Sequence, residues 1–214
     1  MVRSTGALVN YWDRQAGAYD VRTAGVERRW FAASRRWVCA RAHGDTLELA
    51  IGTGANLPHY PPDVALTGVD WSAEMLRAAR RRAERTGRTV DLRRADATAL
   101  PFPDDAFDTV VSTYAFCCIP DVRAALTEAL RVLRPGGDLL LADHVVATSW
   151  PLRAVQHAVE LFSVPLQGEH YTRRPIAVLR TLGVEIVASD RLHLGAVERV
   201  HSRTPAPPPD RLTA

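Results

Sequence analysis

The chain has 214 residues, 47% of them hydrophobic and 24% charged, which is enough for one well-filled core with a short tail and too little for two ordinary catalytic domains. Its formal charge is only +3, from 27 basic and 24 acidic side chains, so composition makes no demand for nucleic acid and argues against extended disorder. Three cysteines, Cys39, Cys117 and Cys118, make neither an even disulfide set nor paired zinc knuckles, and free thiols in a reducing compartment are the simpler expectation.

Residues 6–19 and 26–43 read as two helices. On the second, Val26, Trp30, Phe31, Ser34, Trp37 and Val38 share a face while Arg28, Arg29, Arg35 and Arg36 fall opposite, which predicts a helix packed on the protein body with a solvated basic back. A helix lying on a membrane surface is the weaker alternative. Residues 1–10 lack an apolar core of signal-peptide length, and no later stretch approaches the ~18 apolar residues of a membrane span, so a cytoplasmic location is expected.

Beyond Gly44 short apolar runs alternate with helical segments, the pattern of repeated strand-helix units around a largely parallel sheet. Strands are expected at 46–51 and 65–69. Ser72 is placed to cap a helix ending near Arg85, with Glu74 in its first turn and Gly87 just past its end. A third strand at 90–93 and a fourth at 107–113 precede a helix marked by Val122, Leu126, Ala129, Leu130 and Leu133, which Arg134, Pro135, Gly136 and Gly137 should stop. Leu139, Leu140 and Leu141 mark 138–142 as a central strand buried on both faces. Helices at 151–162 and 175–182 follow, then two last strands at 184–188 and 196–201, suited to a hairpin, and a tail from Pro205.

The most informative stretch runs from Leu47 to Leu57, where a buried strand enters a turn built on Gly52 and Gly54. Glycines allow a ligand close to the backbone, and a following helix end offers unpaired amides to an anionic group. Asp70 lies after the second strand, 18 residues beyond Gly52, near the ~20 expected for an acid that accepts hydrogen bonds from a ribose diol. Asp96 and Ala97 follow the third strand as a carboxylate and a free amide suited to an adenine edge. Each alone is as readily a turn or a cap, but together they fall at the carboxyl ends of the strands, where open parallel sheets bind ligands.

The series Glu48-Leu-Ala-Ile-Gly52-Thr-Gly54, Gly68-Val-Asp70, Ala95-Asp96-Ala97, Leu100-Pro-Phe102 with Phe107-Asp108, and Leu133-Arg-Pro-Gly-Gly137 resembles the class I S-adenosylmethionine-dependent methyltransferases over roughly residues 11–144. Tyr11 and Tyr19 ahead of the domain, and Asp143-His144 after the fifth strand, are similar to its branch of quinone-biosynthesis, phospholipid and small-thiol enzymes. The resemblance implies an α/β, Rossmann-like fold: a seven-stranded, mostly parallel sheet with helices on both faces, an antiparallel last strand and N-terminal lid helices. One domain is then expected over 1–204, comprising a helical lid (1–43), a cofactor-binding core (44–145) and substrate-side elements (146–204), with 205–214 a flexible tail.

The cofactor implied is S-adenosyl-L-methionine, with S-adenosyl-L-homocysteine as product. By the same resemblance Gly52 and Gly54 lie under the methionine moiety, Glu48 orients its amino group indirectly, Asp70 holds the ribose hydroxyls and Asp96 with Ala97 the adenine. Trp71 and Met75 supply apolar walls, Thr113 lines the path near the sulfonium, and Tyr11 or Tyr19 closes over the cofactor. The chain departs from the usual motif at Ala50 and at Asn56, where glycines are common; asparagine tolerates left-handed geometry.

A sulfonium methyl is already activated, so transfer needs an in-line approach, a fixed distance and exclusion of water, and no metal. If the acceptor is a hydroxyl or thiol, His144 is the best-placed base, with His170 and Tyr171 next. Cys117 and Cys118 read as apolar fillers, and His157 as structural. The helix at 151–162 and the leading helices offer an apolar lid, so a small, apolar acceptor accepting at O, S or N is expected. A phospholipid headgroup is the alternative. A nucleotide-dependent dehydrogenase fits less well, because Gly52-Thr53-Gly54-Ala55-Asn56-Leu57 lacks the third glycine of a dinucleotide turn; a non-catalytic binding protein would be recognised by failure to consume the cofactor. No nucleic-acid partner is expected, and nothing in the sequence specifies oligomeric state.

Overall fold

A computed structural model describes residues 4–206; the tail expected at 205–214 falls largely outside them. Seven strands form one sheet in the order β3-β2-β1-β4-β5-β7-β6: β1 (Asp45–Leu49), β2 (Ala65–Asp70), β3 (Asp91–Arg94), β4 (Phe107–Thr113), β5 (Leu133–His144), β6 (Glu185–Leu192) and β7 (Val197–Arg203). The first five pair in parallel, while β7 inserts antiparallel between β5 and β6. The last two strands are therefore a hairpin, and the Rossmann-like sheet has its antiparallel last strand. Chain order reverses between β1 and β4, and the carboxyl ends of those strands open a crevice there.

The central strands run apolar because both of their faces are covered. Leu47, Leu49, Val110, Leu139 and Leu141 pack with α4 (Val122–Arg131) and α6 (Pro175–Thr181). Val111, Leu140 and Ala142 meet α2 (Ala32–Cys39) and α3 (Ala73–Thr86) on the opposite side. The caps of α3 behave as their residues dictate: Ser72 Oγ accepts the Met75 amide at 3.1 Å, and Gly87 ends the helix at φ 64°.

Three expectations need correction. Residues 134–137 do not simply end a helix, since β5 already begins at Leu133 and the segment forms a bulge between the Phe107 and Thr109 pairings. Glycine is needed there, because a Cβ on Gly137 would sit 2.8 Å from Arg134 O and 3.0 Å from Asp108 O. The helix at 151–162 is longer, α5 spanning Trp150–Gln167. The third correction matters most: α1 (Thr5–Val26), a π-helical turn (Glu27–Phe31) and α2 form one continuous rod rather than two helices. A π turn holds one residue more than an α turn, so the inward face slips from Val26, Trp30 and Trp37 toward Phe31, Arg35, Val38 and Cys39. Arg35, expected on the solvated back, is only 7% exposed, whereas Val26 and Trp30 are 48% and 36% exposed.

Candidate functional site

Two adjoining cavities open at the carboxyl edge of the sheet. The first, about 910 Å³ with its mouth, follows the loops after β1, β2, β3 and β4. Glu48, Ala50, Gly52, Asp70, Trp71, Met75, Asp96, Ala97, Thr113 and Tyr19 all line it. Asn56, Gly54 and Tyr11 do not.

Asp70 ends β2 and is buried. Its Oδ2 accepts the Gly52 amide at 2.9 Å and its Oδ1 the Ser72 amide at 2.8 Å, so one carboxylate ties the glycine turn to the cap of α3. Burial pushes its carboxyl up to about 6 despite these bonds. Asp96 is exposed, and its Oδ1 accepts both the Thr98 amide and hydroxyl at 2.8 Å, an Asx turn that sets the loop's shape.

Glu48, between Leu47 and Leu49 on β1, faces the α2 and α3 side of the sheet and is 2% exposed. Its Oε1 accepts Asn56 Nδ2 at 2.7 Å and its Oε2 the Tyr60 hydroxyl at 2.9 Å. Burial raises it to about 7, opposed by Tyr60, Arg35 and Asn56. Asn56 also donates to Thr113 Oγ1 at 2.9 Å and accepts from Arg35 Nη1 at 3.1 Å. It is therefore a polar linker behind the cleft wall, with right-handed φ −81° and ψ −21°, and the left-handed geometry suggested for it does not occur.

The left-handed position falls instead at Ala50, φ 51°, where a non-glycine residue stores strain of about 1–2 kcal/mol. The two glycines divide their labour. A Cβ on Gly52 would meet nothing nearer than 4.0 Å, so this residue leaves the cleft floor open; on Gly54 it would lie 2.8 Å from Leu57 Cδ1 and 3.3 Å from Ala79 Cα. Gly54 thus serves the packing of the turn on α3 rather than the cleft surface.

Several lining residues carry no periodic or motif pattern. Trp12 and Arg35 reach the cleft from the rod, and Tyr114 from the end of β4. Tyr114 has φ 54°, stacks on Phe31 at 4.0 Å between ring centroids, and carries the Arg35 guanidinium 5.0 Å from its ring. Asp13 and Asp20 fasten the rod: Asp13 accepts from Ser72 Oγ at 2.5 Å, and Asp20 from Thr53 Oγ1 at 2.7 Å and Arg82 Nη2 at 2.6 Å.

The second cavity, about 1380 Å³ with its mouth, lies between the rod and α5 and shares Trp12, Tyr19, Tyr114 and Cys118 with the first. Tyr11 lines it, its hydroxyl 2.7 Å from Gln167 Oε1. His144 and Tyr171 face this space, with ring centroids 5.5 Å apart, and His144 Nε2 is 3.8 Å from Glu169 Oε1. Burial, and then Arg35, pull His144 down to about 4, leaving a neutral imidazole at neutral pH. His170 lines neither cavity; its amide donates to Cys117 O at 2.8 Å. His157 is exposed on α5. Cys117 is buried and Cys118 half-buried, both as free thiols; the hydrogen bond with Cys118 and then burial push Cys117 up, while for Cys118 the same contact with Cys117 lowers it and burial is the largest of the effects that leave it raised.

A methyltransferase-domain family model matches residues 47–141. A ubiquinone/menaquinone biosynthesis C-methyltransferase of Paracoccus denitrificans is 32% identical over 196 residues, covering 87% of this chain and 72% of that one. The chain belongs to the S-adenosylmethionine-dependent methyltransferases. A phosphatidylethanolamine N-methyltransferase of Cereibacter sphaeroides is 40% identical over 121 residues, 56% of this chain and 60% of its own. The match spans 56% of a demethylmenaquinone methyltransferase of Thermus thermophilus, so the chain covers well under two thirds of some relatives. A solved SAM-dependent methyltransferase of Thermotoga maritima superposes with TM-score 0.70 at 22% identity over 91% of this chain and 99% of that one, which establishes the fold. Among the described residues no helix is long and apolar enough to cross a membrane.

The family's cofactor is S-adenosyl-L-methionine, and the chemistry of the first cleft suits it. The open face of Gly52 admits a ligand against backbone. Carboxylates at Asp70 and Glu48, a guanidinium at Arg35 and apolar walls at Trp71 and Met75 offer acceptors, a cation and a dry surface in one cleft.

Proposed function

We propose that this chain transfers the methyl group of S-adenosyl-L-methionine to O, S or N of a small, largely apolar molecule held in the second cavity. The observation that carries the reading is the wall common to both cavities, Trp12, Tyr19, Tyr114 and Cys118, because methyl transfer requires donor and acceptor to meet across a single short contact. Asp70 would take the ribose diol, Asp96 and Ala97 the adenine, and Trp71 and Met75 would flank it. Gly52 would admit the methionine moiety, with Glu48 turned toward its ammonium and Thr113 near the sulfonium. The bound cofactor supplies an activated methyl. The protein's task is to orient the acceptor, keep water out behind Tyr19 and the rod, and take up a proton where the acceptor carries one.

His144 is the residue for that proton. It is neutral, faces the second cavity at the end of β5, and has Tyr171 and Glu169 beside it to orient a bound hydroxyl or thiol. An acceptor that arrives deprotonated needs no such base.

A lipid acceptor is the second reading. It is favoured by the exposed Trp150, Val155, Phe162 and Leu166 along α5 beside the second cavity, and by the similarity to a phosphatidylethanolamine N-methyltransferase. One assay separates the readings: release of S-adenosyl-L-homocysteine is measured with phenols, thiols, amines and phosphatidylethanolamine vesicles in turn. Turnover with a soluble acceptor supports the first reading and turnover only with vesicles the second. No release with any acceptor, together with no cofactor uptake by calorimetry, overturns both.

A further inference from the structure

Arg35 was outside every motif in the sequence, yet the π turn brings it into the first cleft. Its side chain is 8% exposed, and a buried cation needs more than a neighbour to justify its place. Nε donates to Glu27 at 2.9 and 3.1 Å, and Nη1 to Asn56 Oδ1 at 3.1 Å and Thr113 Oγ1 at 2.5 Å. Guanidinium has five N–H donors. The bonds to Glu27, Asn56 and Thr113 use Nε–H and both hydrogens of Nη1, and Nη2 has no protein acceptor among the described residues.

Nη2 is thus a rigidly held donor edge with no protein acceptor, on a residue that lines the cleft. A planar guanidinium edge suits a carboxylate or phosphate. The neighbouring wall limits the choice, because Asn56 links Arg35 to Glu48, placing a cationic and an anionic group on the two sides of one amide. That arrangement complements a ligand bearing both an ammonium and a carboxylate, and a phosphate group would face Glu48 unfavourably.

We propose that Arg35, through Nη2, recognises the α-carboxylate of the cofactor's amino-acid end and makes the cleft selective for ligands that carry one. This rests on the cofactor reading above. Because Arg35 belongs to the rod and Thr113 and Asn56 to the sheet side, a ligand gripped there also ties the rod down over the cleft.

The test is calorimetry on the full chain with two probes: S-adenosyl-L-homocysteine, and S-adenosyl-3-thiopropylamine, which keeps the amine and lacks the carboxylate. The unmodified protein should prefer the first by about 10–100-fold, the worth of charge-assisted bonds to a buried guanidinium. Arg35→Met should bring the ratio close to one by weakening only the carboxylate-bearing probe. Arg35→Lys, which keeps the charge but not the fork, should fall between, and it decides the matter if the methionine variant does not fold. Equal affinity for the two probes in the unmodified protein, or a ratio unchanged in Arg35→Lys or Arg35→Met, overturns the assignment. Failure of the unmodified protein to bind either probe overturns the cofactor reading itself.

Discussion

Replacing Asp70 with alanine probes the glycine turn and the ligand site together, and the structure allows the two effects to be separated. The variant strands the Gly52 and Ser72 amides, now bonded at 2.9 and 2.8 Å, and each buried unpaired amide costs about 1–3 kcal/mol. Against this about 2–6 kcal/mol stands a gain. Burial lifts Asp70 from 3.8 to about 6, so holding it ionised at pH 7 costs roughly 3 kcal/mol at 1.36 per unit, and alanine removes that cost. The net at pH 7 is close to neutral or a loss of up to about 3 kcal/mol, or about 6–12 °C at most in a domain of this size, so the variant should stay folded. The sign with pH follows from the raised value: the native protein keeps the benefit of a protonated Asp70 below about 4 and loses it as pH rises through 6. The stability gap between variant and native protein should therefore narrow from pH 4 to pH 7. Affinity for S-adenosyl-L-homocysteine should fall about 10²–10⁴-fold, the worth of two hydrogen bonds to a charged acceptor. Thermal unfolding and calorimetry on the same preparation read both quantities. A folded Asp70→Ala protein that binds S-adenosyl-L-homocysteine as tightly as the native one would refute the placement of the ribose at Asp70.

Other consequences are as direct. Cofactor-product affinity should weaken as pH falls through about 7 and then 6, as first Glu48 and then Asp70 take a proton, and Asp70→Ala should lack the later step; constant affinity down to pH 5 would count against both roles. Gly52→Ala should cost affinity, since its Cβ enters only the open cleft, and about 1–2 kcal/mol of stability from its left-handed φ of 56°. Gly54→Ala should cost about 1–3 kcal/mol more stability than Gly52→Ala, because at a similarly left-handed φ of 78° its Cβ would also crowd Leu57 and Ala79; the reverse ranking would show that the two glycines have been assigned the wrong way round. His144→Phe should lower kcat/KM for a hydroxyl or thiol acceptor by about 10²–10⁴-fold and leave S-adenosyl-L-homocysteine affinity unchanged, and unaltered turnover would remove His144 as the base.

The sheet was legible wherever one period dominated. The boundaries of β4 and the capped start and glycine end of α3 follow from alternation, burial and caps, because these are local and backbone-driven. The loop residues that line the first cleft were legible for a different reason: strand ends converge at the order reversal, so short spacings after strands locate them. What escaped was non-local or non-periodic. Arg35 was assigned to solvent because a helical wheel assumes 3.6 residues per turn, and one π turn rotates everything beyond it. Tyr114 reaches both cavities through a left-handed backbone that tyrosine rarely adopts, and nothing in its neighbours announces that. Gly54 and Asn56 were recognised as special positions but for ligand contact, whereas packing on α3 and a polar link behind the wall explain them.

The rod also says how ligands enter. α1 buries only Leu8 and Ala16, whereas β4 and β5 are buried along most of their length. Its hold over the first cleft is mainly polar, through Asp13 to Ser72 and Asp20 to Thr53 and Arg82, and such exposed or half-exposed bonds each contribute little. Releasing α1 would therefore expose little apolar surface and should cost far less than unfolding the sheet, opening both cavities at Trp12 and Tyr19. Amide hydrogen exchange should show α1 opening much faster than β4 and β5, and S-adenosyl-L-homocysteine should slow α1 selectively, because the ligand would bridge the rod and the sheet. Protection of α1 equal to that of β5 in the free protein would mean that the rod is part of the rigid core, and entry would then have to run through the mouth between α1 and α5.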